Sequence, residues 1–141
     1  MNDRSRSTLF LLEQIVVIMI FAICAAVCVY ILVVSYLMTA DAVDTKYALL
    51  VAESVAEAHR AFGADTRLVA EVIGGSYTAD SVVVYFNNNW EPYVEAYAAF
   101  VLRLTQGIPD NYGVMLSEIT VHRIITSDEL MNLTFATRSA G

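Results

Sequence analysis

Beyond Cys28 the chain contains no cysteine. No disulfide can staple residues 29–141, so whatever folds there is held by its core alone. Proline is limited to Pro92 and Pro109, and the first glycine is Gly63. No backbone breaker therefore interrupts Leu9 to Phe62. Histidine is limited to His59 and His122. Basic residues number 8 against 15 acids, a net charge of −7. That balance works against nucleic-acid binding and against anionic lipid, because like charges repel.

Apolar residues, by contrast, are plentiful at 57%. They concentrate in Ile15–Val34, twenty residues without a charge, in which Tyr30 is the only hydroxyl. As a helix at ~1.5 Å per residue, that run is ~30 Å long, the thickness of a bilayer core. A soluble helix rarely needs apolar residues on all sides. The run reads as a transmembrane helix. Arg4 and Arg6 precede it, and Asp41 and Asp44 follow it. The positive flank stays in the cytoplasm, so the amino terminus is expected inside and the rest outside. The outer part keeps thirteen acids (15 less Asp3 and Glu13) and six basic residues (8 less Arg4 and Arg6). Ala40-Asp41-Ala42 has the small-x-small form of a signal-peptidase site. The apolar run is longer than a signal peptide's, and the greasy stretch leading into it holds an acid, Glu13, which favours an anchor that is kept.

From Ala42 onward the apolar residues fall at Val43, Tyr47, Leu50, Val51, Val55, Ala58 and Phe62. That is helical spacing, and it predicts a stem helix with one apolar stripe that ends at Gly63. Asp65–Ile73 reads as a second short helix, closed by Gly74-Gly75. The period then changes to two. Ser81–Phe86 is β-branched and aromatic. Val94, Ala96, Ala98, Phe100, Leu102 and Leu104 alternate along a second strand. Met115, Ile119 and Val121 mark a third, and Met131, Leu133 and Phe135 a fourth. Short, turn-rich links between them favour an antiparallel meander. The expected fold class is α+β, with a stem helix covering a four-stranded sheet. Residues 1–8 form a basic leader, 9–37 the membrane helix, 38–62 the stem, and 63–141 the short helix and sheet.

One residue breaks the membrane pattern. Glu13 lies inside the greasy segment, four residues after Leu9. This amino terminus and architecture resemble a type IV pilin or a type II secretion pseudopilin. The residues that carry the resemblance are Leu9-Phe10-Leu11-Leu12-Glu13, with Met1–Thr8 as the leader. The resemblance implies a leader removed by a prepilin peptidase between Thr8 and Leu9. It implies that Glu13 pairs with the freed Leu9 amine when stems pack. It also implies a bacterial membrane, other pilin-like subunits and an assembly machinery as partners, and no catalysis. Thr8 stands where the family has Gly, Leu9 where Phe is commoner, and Phe10 where Thr is usual. The outer part also lacks the cysteine pair with which many major pilins close a carboxy-terminal loop, which points to a minor pilin, a pseudopilin or a divergent pilin-like relative. Read without the resemblance, Glu13 is an acid that snorkels to the interface, and the chain is a membrane-tethered outer binding module that never polymerises.

Other chemistry is sparse. Cys24 and Cys28 sit one turn apart in the apolar run and read as small packing residues. His59 reads as a solvated or helix-packing side chain, and His122 as exposed on an outward strand face. Asp41 and Asp44 read as a solvated helix face. Some pseudopilins hold calcium before the last strands, and Asp110 and Asn111 are the only residues here that match such a loop. No nucleophile–base–acid grouping assembles with specificity. The expectation is no cofactor, no metal and no enzyme activity.

Overall fold

The computed structural model describes the backbone of residues 3–138. Its elements are helix α1 (Asp3–Ala61), helix α2 (Thr66–Ile73) and strands β1 (Ser76–Tyr77), β2 (Ser81–Phe86), β3 (Phe100–Gln106), β4 (Val114–Arg123) and β5 (Glu129–Arg138). Two compact units divide between Ala42 and Val43.

Among the described residues the first unit is helix alone. Every described side chain from Arg6 to Val33 is exposed, including the whole apolar run up to that point. In water this would be a very large apolar surface, far beyond the patches that soluble monomers carry. The helix is long and apolar enough to cross a membrane.

The second unit is the α+β fold expected. The rest of α1 packs on an antiparallel sheet ordered β1-β2-β3-β4-β5. The core joins Ala48, Ala52 and Val55 of α1 to Val69 of α2 and to Val82, Val84, Leu102, Leu104, Ile119 and Val121 of the sheet. Each fully buried Val, Leu or Ile contributes roughly 1.5–3 kcal/mol by leaving water. Alternation places Phe100, Leu102 and Leu104 inward on β3, as their period of two predicts. On β5 it places Phe135 in the core, with Leu133 and Met131 packed at its margin.

The short helix is bounded as its sequence predicts. Asp65 caps α2, its carboxylate accepting from the Arg67 and Leu68 amides. Gly74 closes it at φ 74°, a left-handed conformation that glycine adopts without strain.

Three details differ from the sequence reading. The sheet has five strands rather than four. The extra one, β1, is two residues long and follows Gly75, where a Cβ would meet the Val83 carbonyl oxygen at 2.7 Å. Glycine lets β1 approach β2 that closely, and two residues show no period. Next, Val94–Ala98 is not strand. A 3₁₀ turn occupies Glu95–Tyr97, and β3 begins only at Phe100. The segment follows Pro92 and is rich in alanine, with Val94 its only β-branched residue, so it has little of what favours a strand. Finally, α1 buries a face rotated from the expected stripe and sharing only part of it. Ala48, Ala52, Val55, Ala56 and His59 are buried and Val51 and Ala58 half-buried, whereas Val43, Tyr47 and Leu50 remain exposed. Alanines let the helix backbone lie close to the sheet, and that closeness outweighs the size of the neighbouring leucines.

Candidate functional site

Leu9 and Glu13 lie four residues apart on α1, so they share one helix face. Both are exposed, and Thr8 precedes them within the same helix. Cys24 and Cys28 are likewise exposed and are not disulfide-bonded. Their side chains face outward from the helix, available to lipid or to a second helix.

The second unit gathers its polar chemistry in two places. At one end of the sheet, Arg123 Nη2 donates to Asp44 Oδ2 at 2.7 Å. The guanidinium also lies over the Phe100 ring, 6.0 Å from its centre. Trp90 stacks on Phe100 with ring centres 4.2 Å apart, and Tyr47 stacks on the same indole at 6.3 Å. Asp44 is therefore not part of a solvated face: it clamps the start of the stem to the end of β4. Nothing in the sequence signals this pair, because its members are 79 residues apart.

At the other end, His59 is fully buried, the packing side chain of its two readings and not the solvated one. Its Nε2 lies 3.1 Å from Ser117 Oγ, and Phe135 meets its ring edge-on at 5.6 Å. Burial lowers the imidazole pKa from its ordinary value, because the charged form loses water. Ser117 and His59 have the spacing of a nucleophile and base. Both are sealed from solvent, however, and among the described residues no carboxylate orients the ring, so a substrate has no approach. The His122 side chain is half-buried rather than exposed.

The loop candidate for calcium is occupied by its own backbone. Asp110 Oδ1 accepts from the Tyr112 and Val114 amides, both at 2.9 Å. Among the described residues no three His, Cys, Asp or Glu side chains converge as a metal site. Asn132, which begins an Asn-x-Thr triplet, donates to Glu118 across the exposed face of the sheet at 2.6 Å. An open groove of about 430 Å³ separates α1 from β5, with Glu53, Glu57 and Arg60 on its helix side. It lacks a buried polar group that would fix a ligand's orientation.

No protein-family model, no curated protein and no solved structure matches this chain.

Proposed function

We propose that this chain is a non-catalytic, pilin-like assembly subunit, a minor pilin or pseudopilin, anchored in a bacterial membrane by α1. Its amino terminus lies in the cytoplasm and its sheet domain outside. One observation carries the proposal: a single helix, Asp3–Ala61, holds Glu13 near its start and the buried face of an antiparallel sheet near its end. A glutamate in an apolar segment costs up to ~3 kcal/mol at mid-bilayer and less near the edge. At ~6 Å along the helix from Leu9, Glu13 sits toward the edge. A charge kept there makes sense when a cation meets it as stems pack and water leaves.

Glu13→Gln tests this. The variant should reach the membrane at parental abundance, yet fail to crosslink or co-purify with other pilin-like subunits. The mature chain of the parent should begin at Leu9 by mass. Assembly of Glu13→Gln at the parental level would remove the charge-pair mechanism and leave a membrane-tethered binding module as the better reading. Orientation has its own test: with Cys24 and Cys28 replaced by Ala, Ser127→Cys should react with an impermeant reagent in intact cells, and reaction only after the cells are broken would reverse the orientation.

A further inference from the structure

Large apolar side chains stay exposed at both ends of the sheet. At one end, in the 107–113 loop, stand Ile108 and Tyr112. At the other stand Tyr93, Val94 and Tyr97 of the 87–99 loop with Ile124 and Ile125 of the 124–128 loop. Tyr97 is 80% exposed and Ile125 84%. Exposure alone does not distinguish the two ends; chain connectivity does. Within the second unit α1 begins beside the Tyr97–Ile125 end, where Asp44 binds Arg123 and Tyr47 stacks on Trp90. It finishes beside the opposite end, where Gln106 Nε2 donates to the Ala64 carbonyl at 2.6 Å. The apolar segment runs on to Met38, and Asp41 is the first acid after it. From Met38 to Asp44 the helix rises only ~9 Å. Ile124 follows Asp44's partner, Arg123, directly in sequence.

This apolar group is also built rather than loose. The Tyr93 amide donates to Tyr85, the Ala99 amide to Phe86, and the Ile124 amide to Ala99, each at 2.8 Å. The last of these sews the two loops to each other. The Tyr85 hydroxyl donates to Glu95, which raises the tyrosine pKa and holds the 3₁₀ turn against β2. The turn thus presents Tyr97 from a fixed base.

We infer that Tyr93, Val94, Tyr97, Ile124 and Ile125 form a membrane-resting surface, seated in the headgroup region of the same bilayer that α1 crosses. Tyrosines suit that zone, because their rings prefer its apolar side while their hydroxyls stay wet. The surface fits a zwitterionic interface rather than an anionic one. Glu91, Glu95, Asp128 and Glu129 border it, and anionic headgroups would repel them. The inference rests on Ile15–Val34 being a bilayer span; it does not rest on assembly.

Shallow fluorescence quenching tests it on the full chain in phosphatidylcholine vesicles. With Cys24 and Cys28 replaced by Ala, single cysteines at Ala96, Thr126, Asn111 and Val27 carry the fluorophore. Ala96, Thr126 and Asn111 are all exposed, so their labels leave the fold intact. A headgroup-level quencher should dim Ala96 and Thr126 several-fold more than Asn111. Adding Tyr97→Ser with Ile125→Ser should remove most of that difference. A deep acyl-chain quencher should dim Val27. Should Val27 be quenched while Ala96 and Thr126 behave like Asn111, the resting surface is wrong and the span stands. Should Val27 escape the deep quencher, the span itself is wrong and the surface falls with it.

Discussion

His59 Nε2 meets Ser117 Oγ at 3.1 Å across the seam between α1 and β4, and both side chains are shut off from solvent. The imidazole is neutral in the fold, because burial lowers its pKa below 6.5. In the unfolded chain it titrates near that ordinary value. Between the two pKa values the unfolded state binds the proton and the folded state does not. Stability is therefore complete above pH 6.5 and falls as pH drops below it. Chemical denaturation of the second unit at pH 7.5 and at pH 5.5 should show the loss, and His59→Gln should flatten it.

Ser117→Ala should cost about 1–3 kcal/mol, because it takes the partner from a buried imidazole nitrogen. The ring's Nδ1 already lacks a partner among the described residues. A denaturation midpoint equal to the parent's would mean that the hydroxyl does not satisfy the ring.

The buried face of α1 gives a paired test. Ala52 is fully buried against the sheet, and Leu50, two residues earlier, is 50% exposed. Ala52→Leu should destabilise by roughly 1–3 kcal/mol through overpacking. Leu50→Ala should stay within about 0.5 kcal/mol of the parent. The reverse order would show that the helix buries the stripe expected from residue size.

For the Asp44–Arg123 pair the expected effect is small. The two side chains are 26% and 22% exposed, so solvent screens them. A double-mutant cycle with Asp44→Asn and Arg123→Gln should give a coupling of about 1 kcal/mol or less. It should shrink in high salt.

A fragment from Val43 onward should fold without lipid, since α1's buried face, α2 and the sheet satisfy one another within that unit. Circular dichroism should show both helix and strand. Aggregation at every start point from Met38 to Val43 would count against this.

Much of this fold can be read along the chain, because its elements carry strong local periods. Phe100, Leu102 and Leu104 alternate, and the structure buries all three. Asp65 and Gly74 bracket α2 as cap residues do. The errors arise where local pattern meets a distant partner. Val94, Ala96 and Ala98 also alternate, but Pro92 and an alanine-rich turn keep them out of the sheet. Apolar size pointed to Tyr47 and Leu50 as the inner face of the stem, whereas close packing on the sheet selected Ala48 and Ala52. The Arg123 clamp on Asp44 and the burial of His59 depend on contacts across the sheet, which no window along the sequence contains. Glu13 is plain in the sequence as an anomaly. The role proposed for it needs a second stem, which no window along one sequence contains.

The two borders of the sheet are unequal. β1 offers only two residues and lies against α2, whereas β5 offers ten residues, Glu129–Arg138, with no strand on its outer side among the described residues. An incoming strand therefore finds a template on one side only. Were a second copy to add there, its own β5 would be the matching border, and the pair would close on a twofold axis. Neither copy would keep a long border for a third. The shortness of β1 leaves no second template of that length, so pairing through the borders of the sheet would stop at two copies.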